Sequence, residues 1–147
     1  MFGAAKRYWG ALEWVIGRIG DSRWTFIGGL SPEPRSLSVF RKIAASCDSS
    51  HLLDIKDEPS EFFDEAERIK SRMRNEFLQD PRAHTYVYDL GLFVSIRTLM
   101  SKVLDIIGES NGKIVFDISS LPKRFFFPIT KILLIMYQVQ PGRDLTQ

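Results

Sequence analysis

Asp54, Asp89 and Asp117 share a local setting, since each follows a short apolar run and precedes residues that recur at helical spacing. Carboxylates gathered at the ends of strands offer hard oxygen ligands, which suit Mg²⁺ held with a phosphate or a nucleotide. The same residue type at a strand end also caps helices and closes Asx turns with no ligand. Ser119, Ser120 and Lys123 follow Asp117 closely, and Glu33 and Arg35 flank Pro34 just after the Gly28-Gly29 pair, where a guanidinium fork can hold an anion. The expected ligand-binding set is therefore Glu33, Arg35, Asp54, Asp89, Asp117, Ser119, Ser120 and Lys123. Within it, Asp54, Asp89 and Asp117 are the candidate Mg²⁺ ligands. No catalytic residue is assigned, and whether the chain is an enzyme is left open.

Other chemistries find little support. Ser120-Leu121-Pro122-Lys123 matches S-x-x-K, but the S-D-N and K-T-G elements that accompany it in the β-lactamase and penicillin-binding families are absent. A serine cap, a proline in the first turn and a solvated lysine explain the four residues without catalysis. His51 and His84 stand at the amino ends of their apolar runs and Cys47 falls between a helical stretch and the next run, so all three are expected at the opposite rim from the carboxylates. That placement argues against Cys-His and Ser-His catalysis. There is no C-x-x-C or H-E-x-x-H for zinc, and neither G-x-G-x-x-G nor G-K-[ST] for a dinucleotide or phosphate loop. Arg68, Lys70, Arg72 and Arg74 resemble a nucleic-acid patch until Asp57, Glu58, Glu61, Asp64, Glu65 and Glu67 are read before them. Acid first and base last complements a helix dipole, so a solvated helical face is expected.

Four cycles of strand and helix are expected to position these residues. Trp24 to Leu30 is apolar and β-rich and stops at Ser31-Pro32-Glu33-Pro34, after which Leu37, Phe40, Ile43 and Ala44 recur at three- and four-residue steps. His51 to Ile55 is the second strand, and Phe62, Ala66, Ile69, Met73 and Phe77 form the stripe that follows. Thr85 to Tyr88 is the third, with Phe93, Ile96, Met100, Val103 and Ile107 behind it, stopped by Gly108 and Asn111-Gly112. The run ending at Phe116 is the fourth. Its helix starts at Pro122 and kinks at Pro128, or starts afresh at Pro128. Three adjacent phenylalanines, Phe125 to Phe127, cannot all face one sheet, so either the Phe125 to Tyr137 segment meets a second surface, which is the N-terminal segment, a second copy or a partner protein, or all three are buried within the domain itself.

Strands alternating with helices imply parallel neighbours joined by right-handed crossovers. The expected fold is α/β, a three-layer sandwich over residues 23–140 with a mostly parallel sheet of four strands, or five if residues 1–22 contribute. Residues 1–22 read as a helix or a hairpin, and 141–147 as a polar tail. Twenty Lys and Arg against eighteen Asp and Glu give a formal charge of +2, which supplies no field that selects nucleic acid or an anionic membrane. The apolar run around Phe125 is too short to cross a bilayer. A single Cys excludes an internal disulfide and fits a reducing compartment, so a cytoplasmic protein is expected. The order of elements resembles Rossmann-like architecture, in which ligands bind outside the carboxyl ends of the strands. That resemblance implies a phosphorylated or nucleotide ligand on the rim carrying the three aspartates; the alternatives are a non-catalytic assembly module and the N-terminal part of a larger enzyme.

Overall fold

Residues 23–139 are described by a computed structural model. The elements run β1 (Trp24–Gly29), a 3₁₀ turn (Pro34–Leu37), α1 (Ser38–Ile43), a second 3₁₀ turn (Ala44–Ser46), β2 (Cys47–Ile55), α2 (Phe63–Gln79), β3 (His84–Leu90), α3 (Ile96–Glu109), β4 (Ile114–Asp117) and α4 (Lys123–Val139). The expected segments at 1–22 and 141–147 lie outside the described residues. Strand order is β3-β2-β1-β4, and every pairing among the described strands is parallel. This is the Rossmann-like three-layer α/β sandwich expected from the element order. The chain steps outward from β1 through β2 to β3, then crosses back to the far side of β1, so the strand order reverses between β1 and β4.

Period-two alternation sends the strand side chains to opposite faces, and the two helix layers divide accordingly. Ile27, Leu53 and Ile55 pack on one face with Leu99, Val103 and Ile106 of α3 and Phe125 and Ile129 of α4. Phe26 and Leu52 pack on the other with Leu37, Phe40, Ile43 and Phe77. Phe40 is the hinge of this second layer, its ring 5.7 Å from Phe26 and 4.6 Å from Phe77 between centroids. Both strand faces are covered, which is why the runs read as continuous rather than alternating.

Some expected boundaries move. β2 starts at Cys47, four residues before its apolar run, so Cys47 opens a strand instead of lying in a loop and His51 sits at mid-strand. Asp89 is inside β3 and pairs in register with Asp54. The α3 stripe loses its first member, because the helix starts at Ile96 with Ser95 Oγ accepting from the Thr98 N–H as its cap, leaving Phe93 in the preceding loop, 88% exposed. α4 is one helix through Pro128. Its three phenylalanines separate as their directions require, with Phe125 buried, Phe126 half-buried and Phe127 exposed. Among the described residues no helix is long and apolar enough to cross a membrane.

Candidate functional site

A cleft of about 570 Å³ opens at the carboxyl ends of β1, β2 and β4. Ser31 and Glu33 line it from the loop after β1, Lys56, Asp57 and Glu58 from the loop after β2, and Ser119, Ser120 and Arg124 from the turn into α4. It lies where the strand order reverses, the place where loops on either side diverge and leave room for a ligand.

The β4–α4 turn is held by its own side chains. Asp117 is buried, and its Oδ1 accepts from the Ser119 N–H at 3.0 Å and from Ser119 Oγ at 2.6 Å, which fixes the turn. Asp117 Oδ2 and Ser120 Oγ are buried without a hydrogen-bond partner among the described residues. Buried polar atoms of this kind are uncommon and call for an explanation. Arg124, in the first turn of α4, donates through Nη2 to the Leu92 carbonyl at 3.1 Å, so its guanidinium bridges the loops after β3 and β4.

The glycine pair has a packing role. A Cβ on Gly29 would stand 2.7 Å from Leu121 Cδ2 and 2.9 Å from the Ser120 carbonyl oxygen, so the turn can cross the end of β1 only over a residue without a side chain. Gly29→Ala should therefore cost about 2 kcal/mol in urea denaturation, as overpacking does. It should also displace the turn that forms the cleft wall. A stability change below about 0.5 kcal/mol would show that the turn moves freely.

The expected site residues divide into three groups. Glu33, Ser119 and Ser120 line the cleft, and Asp117 fixes its turn. Arg35 is turned to Glu33, with Nε 2.6 Å from Oε2, in an exposed pair. Lys123 opens α4 and is exposed. Asp54 and Asp89 are committed elsewhere. Lys70 Nζ lies 2.7 Å from Asp54 Oδ1, 3.3 Å from Asp57 Oδ2 and 3.1 Å from the Ile55 carbonyl. Arg74 donates to Asp54 Oδ2 at 3.2 Å and to Asp89 Oδ2 at 3.0 Å. Burial alone would lower the Lys70 pKa, but the hydrogen bond and charge of Asp54, helped by Asp57, raise it above the ordinary value. The guanidinium of Arg74 holds the Asp89 carboxyl below the usual range.

These two aspartates are anions already neutralised by α2, so their oxygens are poorly disposed to take a metal. Asp117 is in register with Gly28 of β1, and Gly28 with Leu52, which places it across two strand positions from Asp89's pairing with Asp54. Among the described residues no three His, Cys, Asp or Glu side chains group in a way that could hold a metal ion. The three carboxylates therefore do not converge into the Mg²⁺ ligand set expected of them.

Lys70 and Arg74, read from the sequence as part of a solvated face, are the counter-ions of the strand ends. Lys70 is 2% exposed. Their spacing, i and i+4 on α2, places both on one side of the helix, and that spacing is the signal that pairs them with the acids at the ends of β2 and β3.

Away from the cleft, His51 is buried on the face under α3, between Ser49 of its own strand and the two tyrosines of β3. Its Nδ1 is 2.7 Å from Tyr88 Oη and its Nε2 is 3.1 Å from Ser49 Oγ. The Tyr86 and Tyr88 rings stack against the imidazole at centroid distances of 5.1 and 5.8 Å. Burial depresses its pKa to about 4, so the ring is neutral at pH 7. Lys102 Nζ lies 4.9 Å from the Tyr88 ring centre on the side facing α3. Cys47 is also buried, its Sγ 3.3 Å from the Ile43 carbonyl, and burial pushes the thiol up to about 11, which leaves it an unreactive core residue.

Comparison with protein-family profiles, curated proteins and solved structures gives no match to this chain.

Proposed function

We propose that this chain binds a small phosphorylated ligand, such as a nucleotide or a sugar phosphate, in the cleft between the carboxyl ends of β1 and β4. The observation that carries the reading is the cleft itself, set at the reversal of strand order with the buried, unpartnered Ser120 Oγ in its wall. Ser119, Ser120, Arg124 and the free N–H groups at the start of α4 suit a phosphate, because hydroxyl, guanidinium and helix-end donors all favour negative charge. The opposite wall carries Glu33, Asp57 and Glu58, which repel a second phosphate and accept hydrogen bonds from ligand hydroxyls. Both features favour one phosphate joined to a hydroxyl-bearing body.

Thermal-shift and calorimetric titrations with mononucleotides and sugar phosphates test this. At least one should raise the melting temperature, and Arg124→Ala should weaken that ligand roughly tenfold through loss of a charge-assisted contact. If no phosphorylated compound stabilises the chain, the reading fails.

A competing reading, a non-catalytic assembly module, is favoured by the outer side of α4, where Phe127, Leu134 and Ile135 are exposed. A chain that ignores every phosphate ligand, and whose self-association in light scattering is lost on Phe127→Ser, would support it instead.

A further inference from the structure

The geometry points to a second copy of this chain as the partner of β3, joined edge to edge and antiparallel about a twofold axis at Val87. Among the described strands, β3 and β4 are the edges of the sheet. β4 is four residues long, short enough to offer little to another chain, whereas β3 has seven. Natural edge strands are blunted by charged side chains, proline or bulges; His84–Leu90 (HTYVYDL) has no lysine, proline or bulge, its one acidic residue, Asp89, is paired with Arg74, and its register with β2 runs unbroken from His84 to Leu90. Among the described residues nothing pairs with its outer side.

The direction of its backbone groups follows from one bond. The Leu90 carbonyl accepts from the Lys56 N–H, so Leu90 points its backbone groups at β2. Alternation then turns His84, Tyr86 and Tyr88 the same way and leaves Thr85, Val87 and Asp89 with N–H and C=O facing outward. An antiparallel pairing centred on Val87 sets Val87 opposite Val87 of the second copy and Thr85 opposite Asp89. Those are the three outward residues, so all of their groups are used, in about six hydrogen bonds. An axis one residue to either side leaves one of them unmatched.

The side chains fit the same register. Tyr86, 49% exposed with its ring held against His51, falls opposite Tyr88, an aromatic pair at the closer, non-hydrogen-bonded position. Thr85 meets Asp89, so no like charges face each other. Leu78 of α2, exposed and beside Thr85 through the 3.4 Å contact of Thr85 Oγ1 with its carbonyl, lies on the flank that the second copy would cover. Arg74 joins α2 to both Asp54 and Asp89, and Phe77 of α2 packs with Leu52 of β2, so the helix covers both β2 and β3. With strands about 4.8 Å apart, the two α2 helices of the pair would then run about 10 Å apart, the distance of packed helices.

Sedimentation of the full chain across a concentration series should give twice the chain mass at the upper end. Val87→Pro removes the central outward N–H, together with a half-buried side chain that packs under α2, and should return the chain to monomer while its circular dichroism spectrum shows that it still folds. Hydrogen exchange by NMR reads the register without a substitution. In the concentrated wild type the amides of Thr85, Val87 and Asp89 should be protected to within about tenfold of those of Tyr86 and Tyr88, and that protection should fall on dilution. A wild type that stays monomeric at every soluble concentration overturns the proposal. So does a dimer in which those three amides exchange freely, or a folded Val87→Pro chain that still dimerises.

Discussion

Lys70→Ala is expected to destabilise the chain by about 4 kcal/mol, as removal of one partner from a buried ion pair does. The lysine is buried, donates to the Ile55 carbonyl, pairs with Asp54 at 2.7 Å and lies 3.3 Å from Asp57 Oδ2. Removing it leaves two carboxylates and a carbonyl short of a donor at the end of β2, with only Arg74 to compensate. The cost comes from those stranded groups more than from lost attraction, so the double variant Lys70→Met with Asp54→Leu, which removes the most buried stranded carboxylate, should recover about half of the loss. Urea denaturation of the single and double variants measures both. A loss below about 1 kcal/mol for Lys70→Ala would mean that the network behaves as a solvated surface pair.

Acid should weaken the fold through His51. In the unfolded chain this imidazole takes its proton near the ordinary value of 6.5, and in the folded chain only near 4. Between those limits the unfolded state binds the extra proton, so stability falls as pH drops from about 6.5 to 4 and gains nothing from His51 above that window. The affinity difference corresponds to about 3 kcal/mol. Protonation would also set a second donor against Ser49 Oγ or Tyr88 Oη and place a cation near Lys102. Asp80 and Asp89, both held below their usual values by arginines, lose their contributions at still lower pH. The His51 share is isolated by comparing wild type with His51→Gln at pH 7 and pH 4.5, where the wild type should lose about 2 kcal/mol more than the variant. Equal losses in the two chains would show that His51 is protonated in the folded state.

Most of the architecture was legible in the residues alone. Apolar runs closed by Pro and Gly, and helical stripes such as Leu37, Phe40 and Ile43, identify elements because burial against a neighbour imposes the period of the backbone on the side chains. Four cycles of that kind lead to a parallel sheet because a crossover helix can return only to a parallel strand. The polar Cys47-Asp48-Ser49-Ser50 stretch concealed the first half of β2, since no apolar run marks it, and that hid His51 inside the sheet. Of the cleft residues, Ser119 and Ser120 were legible as the turn after the fourth strand, whereas Arg124 was not, because an arginine in a first helical turn has no local signal that separates it from a solvated one.

What the amino-acid order determined by itself is the succession of elements and the rim at which the three aspartates stand, because both depend on local periodicity. Which residues meet across that rim was decided only by the tertiary structure. Asp54 and Asp89 look alike with Asp117 in the chain, yet two of them are neutralised by Lys70 and Arg74 while the third shapes a turn beside β1. The difference arises from strand order, which puts β2 beside β3 under α2 and sends β4 to the other side of β1. Strand order is set by long-range packing of whole layers, and no residue or its near neighbours encode it.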